Sequence, residues 1–321
     1  MRIGFIGLGT MGASMALNIR ARGFDVVVHD LRREAAAPHL QAGCDWSDSI
    51  EQLARGCDLV FTSLPGPKEV EAIALGDKGL LASMRAGTAW FDLSTGSPTL
   101  ARRLHAAFAP KGISVFDAPV SGGPLGAKSG KLALWVGGDK ALFDRYKPVL
   151  DAIGDQVFHI GAIGAGSVAK LVHNCAGYTI QTVLAEVFTL GVKAGVDPLS
   201  LWLAVRQGAF GRQRVFDRLP EQFLPQYFDP PSFTLRLAHK DVTLATELAR
   251  ELDVPMRLAG LAHADLTEAL NRGWGALDSR IPMMLQVERA GVDTKVPREV
   301  LEPAVASAMA ADAAAAAATA R

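Results

Sequence analysis

Cysteine is scarce in this 321-residue chain: Cys44, Cys57 and Cys175 lie far apart, with no C-x-x-C pair and no histidine at zinc-ligand spacing. That excludes a disulfide framework and a zinc site, and it suits a reducing, cytoplasmic setting. Surplus charge is missing too. Thirty-three Lys and Arg cancel thirty-three Asp and Glu, which leaves no basic field to attract a phosphate backbone and argues against nucleic acid as a partner. No apolar run approaches the ~18 residues of a membrane span. The apolar stretch after Arg2 is broken by Gly4, Gly7, Gly9 and Gly12 and has no small-residue cleavage site behind it, so it reads as structure and not as a signal peptide. No G-x-S-x-G elbow occurs, so a hydrolase of that type has no support.

What is present is a globular composition, 49% hydrophobic and 21% charged. At about 150 residues per domain the length suggests two domains. In the first half, short β-rich runs alternate with helix-length segments: Arg2–Ile6, Asp25–His29, Leu59–Leu64, Ala89–Leu93, Ser114–Asp117 and Leu132–Val136. That alternation predicts an α/β domain with a mostly parallel sheet over residues 1–161. From about Gly161 the apolar spacing turns helical, in Ser167–Ala194, Leu199–Gln207 and Asp241–Leu252. An all-helical substrate and oligomerisation domain is expected over residues 162–302, joined through one long helix, with a cleft between the domains. Twelve of the nineteen residues from Pro303 to Arg321 are alanine. This composition favours helix but offers little surface for docking, so a frayed or disordered tail is expected there.

Three motifs carry chemistry. The first, Gly7-Leu8-Gly9-Thr10-Met11-Gly12, follows the first strand and opens the first helix. In that context Gly7 serves the tight turn, Gly9 lets a pyrophosphate approach the backbone, and Gly12 permits close helix packing, while the helix N-terminus offers N–H groups to phosphates. The second strand ends near Asp30, 18 residues after Gly12, where a carboxylate can accept from ribose hydroxyls and repel a 2′-phosphate. NAD is favoured on that ground. Arg32 and Arg33 keep NADP open, since guanidinium groups there can clamp the same phosphate, or can be plain exposed charges.

The second motif runs from Asp117 to Gly130 and ends Gly126-Ala127-Lys128-Ser129-Gly130. It fails as a triphosphate P-loop because Ala127 stands where that motif needs glycine. It offers Ser121 with the successive N–H groups of Gly122 and Gly123, a nest suited to a carboxylate, or else a structural loop. The third, Gly164-Ala165-Gly166-Ser167-Val168-Ala169-Lys170-Leu171-Val172-His173-Asn174, starts the long helix. Lys170 and Asn174 share a face with small residues. Taken alone, Lys170 is either an exposed charge or an amine whose pKa desolvation lowers toward proton exchange.

With these three motifs and Lys240-Asp241 in order, the sequence resembles the β-hydroxyacid dehydrogenase family over about residues 1–300. The resemblance implies a Rossmann-type domain and a helical C-terminal domain with the active site between them. It implies hydride transfer between NAD or NADP and a small 3-hydroxy acid or its semialdehyde, with no metal. Lys170 would be the general acid/base, Ser121, Gly122 and Gly123 would hold the substrate carboxylate, and Asn174 would orient the reacting oxygen. Leu64, Pro65 and Thr95 match positions lining the nicotinamide and ribose site, and Lys240 matches a lysine that closes over cofactor and substrate. Relatives mostly carry Asn-Asn where His173-Asn174 stands here, a change expected to touch a supporting contact and not the reaction. A homodimer or homotetramer is implied, to which Trp202 and Trp274 can contribute. The rival readings are an imine reductase or an oxidative decarboxylase of the same fold, and a scaffold that binds dinucleotide without turnover. Arg206, Arg212 and Arg214 are candidates for a second polar contact to substrate, or surface residues.

Overall fold

The computed structural model describes residues 1–196, 201, 204–205, 207–211, 219–232, 234–251, 253–291 and 293–319, with some helical side chains outside the description, Cys175 and Lys240 among them. Two compact units divide it, Met1–Gly177 and Tyr178–Arg321. The division falls later than residue 161, inside the helix Ala165–Lys193, because the first turns of that helix are hydrogen-bonded to the sheet of the first unit.

The described residues of the first unit form a nine-stranded sheet. Its strands are β1 (Arg2–Ile6), β2 (Asp25–His29), β3 (Asp45–Trp46), β4 (Leu59–Thr62), β5 (Ala89–Asp92), β6 (Ser114–Asp117), β7 (Val120–Ser121), β8 (Leu132–Gly137) and β9 (Gly154–Gly161). The order is β3-β2-β1-β4-β5-β6-β8-β7, with β9 on the other side of β8. The first six strands of that order are mutually parallel, as a doubly wound dinucleotide-binding sheet requires. β8 then runs antiparallel to β6 and β7.

The side-chain period of two sorts each central strand onto two buried faces, because helices cover both sides of a parallel sheet. In β1, Ile3 and Phe5 enter one core cluster, while Ile6 enters the other. Register aligns Phe5 with Phe61, Phe61 with Phe91 and Phe91 with Phe116 across four neighbouring strands. The rings form a ladder with centroids 6.1, 5.6 and 4.1 Å apart, the last pair nearly coplanar in orientation at 4°. Each buried ring contributes about 2–3 kcal/mol from water exclusion alone. On the opposite face Trp90 is fully buried against Phe108.

The short strands β3 and β7 and the edge strand β9 were not expected from sequence. β9 reads Gly-Asp-Gln-Val-Phe-His-Ile-Gly and from Gln156 onward alternates exposed with half-buried positions. It lacks the continuous apolar run that marks a central strand.

The described part of the second unit is helical: the end of the long helix, Leu219–Gln222, Leu235–Glu251, Arg257–Asn271, Met283–Ala290 and Arg298–Thr319. Arg298–Thr319 covers most of the tail expected to fray from residue 303; alanine's intrinsic preference sets its conformation. The expected helix Leu199–Gln207 and Trp202 fall largely or wholly outside the described residues. Phe228, Leu235, Ala269, Ile281 and Leu285 form this unit's core, with Trp274 packed against it. Beside them Asp278 is fully buried. It accepts from Ser232 N–H and Oγ–H and from Arg280 N–H and Nε–H at 2.8–3.1 Å. Burial alone would raise its pKa; the hydrogen bonds from Arg280 and Ser232 outweigh it and hold the group at about 2. No described helix is long and apolar enough to cross a membrane.

Candidate active site

The glycine-rich turn is built as its spacing predicts. Gly7 has φ +95°, a region L side chains avoid, and a Cβ there would fall 2.3 Å from the Ser63 carbonyl. Gly12 begins the helix Gly12–Ala21, where a Cβ would meet the Gly7 carbonyl oxygen at 2.0 Å. At Gly9 a Cβ would meet nothing within 4 Å, so the space above it is free for a group to approach the backbone. Gly9 and Thr10 are exposed, Met11 is half-buried and Leu8 is buried.

Asp30 sits just past β2. Its Oδ2 accepts from Leu8 N–H at 2.7 Å and its Oδ1 from Arg32 N–H at 2.9 Å. The first of these bonds ties the carboxylate to the glycine turn itself. Arg32 Nε stands 3.7 Å from Asp30 Oδ1. Arg33 is engaged elsewhere, 3.1 Å from Asp48 Oδ1 and over the Trp46 ring at 5.5 Å.

Three polar side chains, Thr62 and Asp117 buried and Asp92 half-buried between them, line up at the carboxyl ends of β4, β5 and β6, where register pairs Thr62 with Asp92 and Asp92 with Asp117. This edge is where ligands bind in open parallel sheets. Trp90 Nε1–H donates to Thr62 Oγ1 at 3.0 Å, and Thr62 donates to Asp92 Oδ1 at 2.8 Å. Ser94 N–H also donates to Asp92, while Ser94 Oγ accepts from Leu64 N–H at 2.9 Å. The network therefore locks the Leu64-Pro65 turn to the segment holding Thr95. Leu64 is half-buried, and Pro65 and Thr95 are exposed. Desolvation pushes Asp92 up to about 6 against the pull of Ser94 and Thr62. Sequence reasoning gave Asp92 no role; its place at a strand end was the available signal.

From the sequence alone Asp117 is likewise only the start of a motif. It is 3% exposed and accepts from Gly164 N–H at 2.7 Å and Ser167 N–H at 2.6 Å, capping the long helix. Burial raises its pKa against those two hydrogen bonds. Gly137 and Gly166 give it room. A Cβ on Gly137 would lie 2.4 Å from its Oδ1, and one on Gly166 would lie 2.2 Å from the Trp135 carbonyl and 2.5 Å from that of Asp117.

That docked helix carries Lys170, 9% exposed, its pKa lowered by desolvation. Of the two readings open from sequence, the solvated surface charge is thereby removed. Asn174 is half-buried one turn further on. Ser121, in β7, is half-buried and precedes Gly122 and Gly123, with φ +130° and +62°. His173 meets Ser121 directly, Nε2 to Oγ at 3.2 Å. Lys240 falls in the helix Leu235–Glu251 with its side chain outside the description, and Arg206, Arg212 and Arg214 are outside the described residues altogether. No group of three or more metal-ligating side chains occurs among the described residues.

The fold and this edge define a dinucleotide-binding oxidoreductase. The model of the NAD-binding domain of 6-phosphogluconate dehydrogenase matches residues 2–161, and that of the NAD-binding domain of NADP-dependent 3-hydroxyisobutyrate dehydrogenase matches residues 164–283. The chain is 34% identical to 2-(hydroxymethyl)glutarate dehydrogenase of Eubacterium barkeri over 292 residues, 91% of this chain and 97% of that protein. It is 38% identical to 3-hydroxyisobutyrate dehydrogenase of Pseudomonas aeruginosa over 268 residues, 81% and 89% of the two chains. Among solved structures it resembles the Mycobacterium tuberculosis 3-hydroxyisobutyrate dehydrogenase with L-serine, at 30% identity and TM-score 0.62 over 88% of this chain and 98% of that one. An imine reductase from Pseudomonas sp. at 15% identity and TM-score 0.74, covering 88% and 98% of the two chains, shares the fold alone. The chain belongs to the β-hydroxyacid dehydrogenase family and is an NAD(P)-dependent enzyme of it.

Proposed function

We propose that the enzyme interconverts a small 3-hydroxy acid, of the 3-hydroxyisobutyrate kind, and its semialdehyde, with Lys170 as general acid/base. The observation that carries this reading is the Lys170 amine: nearly buried, its pKa lowered by desolvation, on a helix pinned to the sheet by Asp117. A lowered pKa brings an ammonium closer to the working pH, where it exchanges a proton most effectively.

The open space over Gly9, the positive φ of Gly7 and the first helix turn fit a dinucleotide pyrophosphate. Leu8, Thr10, Met11 and Gly12 complete that cradle. Leu64, Pro65 and Thr95 flank the nicotinamide end. When bound, the nicotinamide accepts or supplies the hydride at C4. The protein does the rest. Ser121 with the N–H groups of Gly122 and Gly123 holds the substrate carboxylate, Asn174 orients the reacting oxygen, and Lys170 takes the hydroxyl proton on oxidation or returns it on reduction. Positioning of this sort lowers a barrier by several kcal/mol.

NAD is the proposed cofactor. Asp30 would face a ribose 2′-substituent with a carboxylate, which repels the phosphate of NADP, and the Arg33 guanidinium is drawn off by Asp48 and Trp46. The helical unit is the proposed substrate and oligomerisation domain of a cytoplasmic homodimer or homotetramer. The test is turnover followed at the reduced-nicotinamide absorbance band, with NAD and NADP each against a panel of 3-hydroxy acids and semialdehydes. Turnover of the acids, faster with NAD, is expected; inactivity toward the whole panel overturns the reading.

A further inference from the structure

We infer that His173 is a positioning residue that turns the Ser121 hydroxyl toward an acid, so that the Ser121–His173 pair selects substrates bearing a carboxylate. The inference rests on the proposed dehydrogenase reading and deepens it at one atom pair.

The two side chains come from segments 52 residues apart in sequence and meet at 3.2 Å, Ser121 Oγ to His173 Nε2. The imidazole is held from the other side by Trp135 of β8, the neighbour of β7, with ring centroids 5.1 Å apart and planes inclined at 49°. Trp135 is fixed in turn, since its carbonyl lies against Gly166 at the start of the same helix. His173 therefore stands on an aromatic platform with Nε2 directed at the one hydroxyl of the nest. The supporting contact expected to change at this position is one made directly to Ser121.

The chemistry follows from counting protons. A serine hydroxyl has one hydrogen to donate, and a carboxylate has none. If Ser121 spends its hydrogen on an acceptor Nε2, only lone pairs remain to face the substrate, and they repel a carboxylate. If Nε2 carries the hydrogen, His173 donates to Ser121 Oγ, and the serine hydrogen points outward beside the N–H groups of Gly122 and Gly123. Three donors then converge on one anion. The Nε2–H tautomer is thus the form competent for an acid, and bound acid holds His173 in it. An amide or ester presents a weaker, neutral acceptor and gains little from the arrangement.

The experiment measures KM and kcat with 3-hydroxyisobutyrate and its methyl ester for the wild type, His173→Phe, His173→Gln, Ser121→Ala and the double variant His173→Phe/Ser121→Ala. Phenylalanine keeps the ring contact with Trp135 and removes the donor; glutamine restores an N–H at the Nε2 position. Loss of the bond from His173 that turns the Ser121 hydrogen outward leaves the hydroxyl free to rotate away from the carboxylate, and is expected to raise the KM for the acid about fivefold in His173→Phe, with kcat within about twofold. KM for the ester should stay unchanged, His173→Gln should return near the wild type, and the double variant should be no worse than Ser121→Ala. In the wild-type enzyme with NAD and 3-hydroxyisobutyrate bound, the 15N spectrum should show His173 as the Nε2–H tautomer, a readout that needs no variant to fold. An unchanged KM in His173→Phe, additive effects in the double variant, or an Nδ1–H tautomer with the acid bound overturns the inference while leaving wild-type turnover, and so the dehydrogenase reading, intact. Absence of wild-type turnover on every hydroxy acid overturns both.

Discussion

Asp117 Oδ2 accepts the backbone N–H of Ser167 at 2.6 Å, joining the end of β6 to the first turn of the helix that carries Lys170. The other oxygen accepts Gly164 N–H at 2.7 Å, so one buried carboxylate fixes where the helix begins and how it is rotated. Asp117→Ala strands both N–H donors in a buried place. It is expected to cost about 2–4 kcal/mol of stability, read as a lower Tm of the enzyme, and to lower kcat by displacing the lysine. A variant with wild-type Tm and kcat would show that the cap does neither.

Lys170→Ala should lower kcat by about 10²- to 10⁴-fold, the usual weight of a general acid/base. Its affinity for NAD, measured by fluorescence titration, should stay within about twofold of wild type, because the cradle of Gly7, Gly9 and Gly12 lies on other elements. Near-normal turnover would remove the amine from the mechanism.

Asp30→Ala removes the acceptor for Leu8 N–H and the carboxylate proposed to face a ribose 2′-phosphate. The ratio of kcat/KM for NAD to that for NADP is expected to fall by tenfold or more. If the ratio holds, cofactor choice is set elsewhere.

Asp92 introduces a pH dependence of stability whose sign is fixed by the direction of its shift. Its pKa is raised from 3.8 to about 6 by burial, so the folded state favours the protonated acid. The stabilisation is complete below pH ~4 and is lost as pH rises through about 6. Asp92→Asn, neutral throughout, should flatten this part of the unfolding profile and be more stable than the wild type at pH 7, by an amount on the order of 2–3 kcal/mol. Denaturant titrations of both proteins at pH 4.5 and 7 measure it, and parallel profiles would refute the assignment.

Phe91 sits between Phe61 and Phe116 in the ladder across the sheet. Phe91→Ala is expected to cost about 3–5 kcal/mol, the range for emptying a buried aromatic site. A loss under about 1 kcal/mol in urea unfolding would mean that the neighbouring rings collapse into the space.

The amino-acid sequence by itself determined what local sterics and periodicity dictate. β1, β2 and β6 occupy the segments predicted, and the other three anticipated strands differ only at one end. Gly7 and Gly12 were legible because a turn of that curvature leaves no room for a Cβ, whatever the rest of the chain does. The helical character of the second half followed from its apolar spacing in the same way. The edge strand β9 was not legible, because its pairing with β8 and not its own polar-rich composition makes it a strand. The partnership of Asp117 with Ser167, of Ser121 with His173 and of Leu64 with Ser94 was settled only in three dimensions. Each joins groups 30 or more residues apart, and the sequence contains no local signal for such a distance. Packing brings those groups to one edge of the sheet, and only there does burial shift the pKa values of Asp92 and Asp117 up, against their hydrogen bonds, and that of Lys170 down.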